Sequence, residues 1–458
     1  MSQDINFSSV EQLAASIKAR RISAVELLDA HLSRIDAQNE SLNAVVTLDA
    51  NRARAHAKTA DEAIARGDAI GPLHGVPFTI KDAFATNGMR TTSGFKFFDH
   101  VPKHDASVVE RLKNAGAILV GKTNVPVLLS DYQTDNPIFG RTNNPWDAAR
   151  TPGGSSGGAA AAVASGMTPF EIGTDLSCSI RIPSHFCGIV GLKPTEHRVA
   201  ADGVVPTPQS GPRPVRIMSC VGPMARTPGD LALLLSIISG PDPRDSDVDP
   251  IPLGEFAAAP VKGLRIAFAP TIGELPVSNA IREALGKIAR DLQSAGAIVE
   301  EAKMPSIDFM DDLKQFGALV PKITSAFSPG PDNPKASLAD YLTALDRRDR
   351  SIAAWETFFG NWDALLCPPA MTTAFPHTKP GTPLEVDGRQ QEYFSLAAVG
   401  TLFNYSGHPA IVVPSGSMDN GLPIGTQLVG RWWSEARLIG IAKTLTEMTG
   451  GFRRPPGV

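Results

Sequence analysis

Two stretches far apart in the chain share one local pattern, Asn114-Ala-Gly-Ala-Ile-Leu and Ser294-Ala-Gly-Ala-Ile-Val. In each, amphipathic helical spacing stops at a glycine and an apolar run begins, which is how a helix ends in a left-handed residue and passes into a buried strand. Before the first, Ser107-x-x-Glu110 has capping-box spacing and opens a helix to about Asn114, with the strand at 117–120. Before the second, 264–268 reads as a strand, and Ile281, Leu285, Ile288 and Leu292 mark one helix face, with the return strand at 297–299. Gly75-Val-Pro-Phe-Thr-Ile-Lys-Asp82 reads as another buried strand, unusual in delivering Lys81 and Asp82 at its end. Strand and helix alternating at both ends of the chain predict an α/β fold, a sheet covered by helices.

The 458 residues read as one large domain. Residues 1–66 are expected to be packed helices, with capping-box spacing at Ser8-x-x-Glu11 and Ser23-x-x-Glu26. Residues 67–250 are expected to form the core of that domain, and a connection rich in proline and aspartate follows at about 240–263. Residues 305–380, with a proline-rich run at 328–334, read as a helical elaboration. A net charge of -4 without a basic block argues against a nucleic-acid or membrane-surface footprint. The four cysteines show no CxxC spacing, which points to a reduced cytoplasmic setting and shows no zinc site. Neither an export signal nor a membrane span is expected, since the amino terminus lacks a basic-then-apolar start and no eighteen apolar residues run together.

One motif is a decoy. Gly116-Ala-Ile-Leu-Val-Gly121-Lys122-Thr123 fits GxxxxGK[ST], but the four residues that should be a flexible phosphate loop are themselves the apolar strand. A nucleotide-binding module built on Gly121, Lys122 and Thr123 is therefore only a remote alternative. More informative is Thr-Pro-Gly-Gly-Ser-Ser-Gly-Gly at 151–158, which runs into an alanine-rich stretch. It places a glycine-flanked serine pair at the mouth of a helix, where backbone can approach closely. Taken alone it is better explained by a loop and N-cap. A second tight polar segment, Gly173-Thr-Asp-Leu-Ser-Cys-Ser-Ile-Arg-Ile-Pro183, follows.

Together, Lys81 in TIKD, the TPGGSSGG loop and a serine followed by Ile-Arg-Ile-Pro resemble the amidase signature family of serine hydrolases. Ser155 and Ser179 lie 24 positions apart, which agrees with that family. The likeness continues in Gly188-Ile-Val-Gly-Leu-Lys-Pro194 and Gly407-His-Pro-Ala-Ile-Val-Val-Pro414 and spans nearly the whole chain. The resemblance implies a single amidase-signature domain, a central mixed sheet covered by helices on both faces, with its catalytic core at 67–250 and with 305–380 near the substrate site. By the same resemblance Ser179 is the nucleophile, Ser155 a bridging serine after a cis Gly154-Ser155 peptide, and Lys81 the general base. It implies backbone N–H groups of Leu176, Ser177, Cys178 and Ser179 as the oxyanion hole, with Ser156, Asp175 and Arg181 in support. Leu128, Leu129 and Tyr132 are the expected substrate contacts, in an apolar pocket to which 403–405 would also contribute.

The physics fits those roles. A serine hydroxyl is a weak nucleophile until a positioned base takes its proton, and a lysine serves only when burial keeps it neutral. The chain departs from the family at Ser177-Cys178, where most members carry two glycines. That departure raises the question of left-handed backbone there, and of Cys178 as a rival nucleophile. The expected reaction is cleavage of a C–N bond in a small neutral amide, anilide or carbamate, or of an ester, without cofactor or metal. The expected partner is that small molecule, with no nucleic acid and no membrane, for a monomer or homodimer. The alternative is the glutaminase subunit of a transfer-RNA-dependent amidotransferase, which would need protein partners and polar groups to hold glutamine.

Overall fold

A computed structural model describes residues 4–204, 215–325 and 337–458, so the proline-rich run at 328–334 lies outside the described residues. The chain starts with helices α1 (Val10–Lys18), α2 (Ala24–Leu42) and α3 (Ala50–Arg66). The Ser23–Glu26 capping box forms as expected. The first box is one residue later than expected: Ser9 accepts from the Gln12 N–H while the Gln12 side chain accepts from the Ser9 N–H. The helical expectation for this region also omits a strand, β1 (Val45–Leu48), which lies between α2 and α3.

Next come β2 (Pro77–Lys81), α4 (Ser107–Asn114) and β3 (Ile118–Thr123). Ser107 is already the first residue of α4, whose N-cap is Ala106 with no side-chain cap bond. These strands make a small sheet of order β1-β3-β2, with β2 parallel to β3 and β1 antiparallel to it. Gly116 and Gly296, the glycines of the two matching stretches, have φ of 93° and 99°. A Cβ at Gly116 would also lie 2.7 Å from the His74 Cα, so only glycine fits that turn. Gly121, Lys122 and Thr123 are buried residues of β3 itself. Lys122 spends its ammonium on the Phe84 carbonyl and, at 3.0 Å, on Thr91 Oγ1. Nothing about that arrangement is a phosphate loop.

The main sheet is built later, from α5 (Gly157–Ala164), β4 (Phe170–Asp175), α6 (Arg181–Cys187), β5 (Val190–Lys193), β6 (Cys220–Ala225), α7 (Pro228–Ile238), β7 (Arg265–Phe268), α8 (Asn279–Ser294) and β8 (Ile298–Glu301). Helices α9 (Phe309–Ser325) and α10 (Leu338–Phe358) precede β9 (Ala364–Cys367), a short hairpin of β10 (Leu384–Val386) and β11 (Arg389–Gln391), α11 (Ala398–Tyr405), β12 (Ala410–Asp419), β13 (Leu422–Val429) and α12 (Glu435–Thr449). Eight of these strands pair in the order β4-β6-β5-β12-β13-β9-β7-β8. Pairing is antiparallel from β4 to β9 and parallel through β9, β7 and β8, so the sheet is mixed.

Alternation along β6 shows both faces covered. Val221 and Ala225 join the core that includes Leu231, Leu234 and Leu235 of α7, whereas Met224, pointing the other way, packs with Ala159, Ala160 and Val163 of α5. Helix α5 is buried at every residue, as its unbroken alanine-rich sequence requires. All four cysteines are free and buried. Among the described residues no helix is long and apolar enough to cross a membrane.

Candidate active site

Three segments meet where β2 and β4 end and α5 begins. Strand β2 delivers Lys81, which is fully buried. Its Nζ lies 2.8 Å from each of three hydroxyl oxygens, Ser155 Oγ, Ser156 Oγ and Thr174 Oγ1. Burial pulls the lysine down from its ordinary value to about 7, partly opposed by the negative charges of Asp175 and Glu171. A neutral amine has two N–H donors and one lone pair, so three hydroxyls around Nζ can be satisfied with one of them donating to nitrogen. Thr174, which comes from the far strand β4, has no motif in the sequence to mark it.

The peptide bond between Gly154 and Ser155 is cis. Gly154 is closely shielded: a Cβ there would come within 2.4 Å of the Asp131 carbonyl oxygen. Ser156, which a solvent-facing loop would expose, is buried, and its N–H donates to the Ser179 carbonyl at 3.1 Å. That bond ties the serine-pair loop to the segment bearing Ser179. Ser155 and Ser179 line one cleft of about 590 Å³. Their hydroxyls do not hydrogen-bond to each other.

The Ser179 segment is held from below by a buried ion pair. Asp175 accepts from the backbone N–H groups of Cys178 and Ile180, both at 3.0 Å, and from the Arg181 guanidinium at 2.9 Å. Burial alone would raise this carboxyl, but the Arg181 charge and its hydrogen bonds hold it at about 2. Arg181 continues to the Gly400 carbonyl and Gln427 Oε1, each at 2.9 Å, and to Asn404 Oδ1. Replacing Arg181 with alanine would strand a buried carboxylate, a loss of about 3–5 kcal/mol. Chemical denaturation is expected to show a correspondingly lower midpoint, and an unchanged midpoint would mean the pair adds nothing.

Leu176, Ser177 and Ser179 line the cleft. No acceptor among the described residues takes the N–H of Ser177 or Ser179. The Cys178 N–H is engaged by Asp175 instead. Cys178 adopts φ of 66° and Ser177 does not have positive φ, so one of the two positions where glycines are usual in the family does use left-handed backbone. Burial pushes the Cys178 thiol up to about 12, and it lies 3.6 Å from the Ala397 carbonyl rather than on the cleft. A protonated thiol there is a poor nucleophile.

Leu128, Leu129 and Tyr132 all line the cleft, and both leucines have positive φ, 52° and 61°. Such strained backbone gathers at functional sites. Phe403, Asn404 and Tyr405, expected in the pocket, are instead buried in α11, where Asn404 braces Asp175 and Arg181. Their apolar run marks a helix core. Phe316, Gly317, Val320 and Pro321 of α9 reach the cleft, as does Phe394. Among the described residues no cluster of histidine, cysteine, aspartate or glutamate is arranged to hold a metal.

A sequence profile of the family Amidase matches residues 26–329 and 314–439. A glutamyl-tRNA(Gln) amidotransferase subunit from Synechococcus sp. (strain CC9605) is 35% identical, over 96% of this chain and 95% of its own. Among solved structures, a bacterial aryl acylamidase of the amidase signature family superposes with a TM-score of 0.85 at 25% identity, covering 97% of each chain. The 6-aminohexanoate cyclic dimer hydrolase bound to substrate superposes with a TM-score of 0.83 at 27% identity, covering 99% of each chain. The full-length relatives correct one expectation. Partners limited to a small molecule, with no nucleic acid, do not stand beside relatives whose name is that of an amidotransferase component for a transfer RNA. The profile match, the full-length relatives and the shared architecture establish that this chain belongs to the amidase family.

Proposed function

We propose that the chain cleaves a C–N amide bond through an acyl-enzyme on Ser179, with Ser155 and Lys81 as proton relay. The observation that carries this is a fully buried lysine touching Ser155 at 2.8 Å beside the cleft that Ser179 lines. As Ser179 Oγ adds to the carbonyl carbon, its proton passes to Ser155 and the Ser155 proton to neutral Lys81. The oxyanion takes N–H donors from Ser177 and Ser179. Collapse breaks the C–N bond, the relay returns the proton to the leaving nitrogen, and water hydrolyses the ester to release acid and free Ser179.

The relatives' name favours a subunit of a glutamyl-tRNA(Gln) amidotransferase, and in that reading the amide would be glutamine and the product ammonia, passed on within the assembly. A second reading is favoured by the cleft lining, which is dominated by Leu128, Leu129, Leu176, Val221, Phe316 and Phe394. Among the described lining residues no cation is present to meet a glutamine α-carboxylate, which suits a less polar amide, anilide, carbamate or ester. Intact-mass analysis after incubation with glutamine and with matched anilides, carbamates and esters decides between them. An acyl adduct on Ser179 with glutamine, with ammonia released, supports the first reading. Adducts only with the apolar substrates support the second, and no adduct with any would remove the proposal.

A further inference from the structure

Asp131 is the one charged side chain among the described residues that line the cleft, and the proton relay does not use it. It follows the turn carrying Leu128 and Leu129, and its backbone carbonyl packs against Gly154 beside the cis bond. The half-buried carboxylate accepts from the Tyr393 hydroxyl at 2.5 Å and from the Tyr132 N–H at 2.8 Å. Those donors fix its position without neutralising it. Among the described residues no lysine, arginine or histidine pairs with it. Burial pushes the acid upward, while hydrogen bonds from Tyr393 and from the backbone of Tyr132 and Gln133 oppose that shift.

Around this charge stand three aromatic rings. Tyr132 and Phe394 both line the cleft, with ring centroids 6.3 Å apart at a steep angle, and Tyr393 sits behind, 5.9 Å from Tyr132 and 5.4 Å from Phe394. Phe394 is 65% exposed, so its ring is accessible from the cleft it lines. A carboxylate with no cation partner among the described residues, flanked by aromatic rings at the wall of an open cleft, is a receptor for an alkylammonium group. An acid alone would attract any cation, and rings alone any apolar group. The two together select a protonated amine on an aliphatic stem.

We infer that Asp131, Tyr132 and Phe394 form a subsite for an ammonium group on the substrate, so that the amides preferred at Ser179 carry a protonated amine remote from the scissile carbonyl. The inference rests on the proposed amidase reading of the Ser179 cleft and names a class of substrate for it. Glutamine, with its α-ammonium, belongs to that class, as do amides of ω-amino acids.

Binding tests it without turnover. In the Ser179→Ala protein, NMR titration is expected to show n-hexylammonium binding at least about tenfold tighter than 1-hexanol, the size of a charge-assisted hydrogen bond. Asp131→Asn, which keeps the shape and removes the charge, is expected to bring that ratio to about unity. Phe394→Leu, at an exposed position, is expected to lower it by about twofold to fivefold. Equal binding of the two ligands, no binding of the ammonium, or a ratio untouched by Asp131→Asn would overturn the subsite. In the protein with Ser179 intact, the kcat/KM ratio of 6-aminohexanamide over hexanamide should follow the same pattern. Loss of all turnover alongside an intact binding ratio would instead unseat the Ser179 reading and leave the subsite standing.

Discussion

Ser179→Ala is expected to remove turnover by on the order of 10⁴–10⁶-fold and to abolish every acyl adduct. The size of the effect follows from the site's construction. The hydroxyl that is lost lines the cleft beside two backbone N–H donors, of Ser177 and Ser179, that have no acceptor among the described residues. Cys178 is next in sequence, but its thiol is buried away from the cleft and pushed up to about 12. Substrate binding should persist in the variant, because the cleft walls come from other segments, and stability should change little at a position that lines an open cleft. The check is intact mass together with steady-state kinetics on the substrate that acylates the parent. Activity retained in Ser179→Ala and lost in Cys178→Ala would move the nucleophile by one residue.

The parts of this site that can be read in the sequence are those where chemistry is local. The glycines of 151–158 and the Ser-Ile-Arg-Ile-Pro segment carry their meaning within a few residues, because backbone shape there is set by which positions lack a Cβ. Lys81 is legible because a charge at the end of an apolar strand has few structural excuses. Thr174 and Asn404 are not, since each acquires its role from packing across the fold: Thr174 sits on β4 opposite β2, and Asn404 reaches Asp175 from a helix more than two hundred residues away. Phe403 and Tyr405 escape a sequence reading for the same reason, apolar residues in α11 being as compatible with a core as with a pocket. Strand β1 is hidden because Val45-Val-Thr-Leu is too short to break a helical pattern on either side, and only its pairing with β3 makes it a strand. The helix-glycine-strand repeat, by contrast, is legible at both places, since Gly116 and Gly296 are where left-handed backbone is required.

The second large effect concerns Lys81. A base is useful only with a free lone pair, so the protonated lysine is inactive. Burial has brought it from the usual lysine value to about 7, with Asp175 and Glu171 holding it from falling further. The sign follows directly: below about 7 the ammonium dominates and kcat/KM should fall about tenfold per pH unit, while above it the neutral amine gives a plateau. Lys81→Ala should lose about 10²–10⁴-fold on the plateau above about 7 and flatten the acid limb, so that its deficit narrows as pH falls, because the group that titrates is gone. Lys81→Arg should do no better, since a guanidinium stays protonated throughout. Glu171→Gln supplies the directional control. Glu171 lies on β4, with its carboxyl on Thr79 two residues before Lys81; burial raises that acid to about 7, so its charge supports Lys81 only where it is ionised, and removing it should shift the limb to lower pH without removing the base. A wild-type profile flat through neutrality, or an acid limb that survives in Lys81→Ala, would take the proton from Ser179 by some other route.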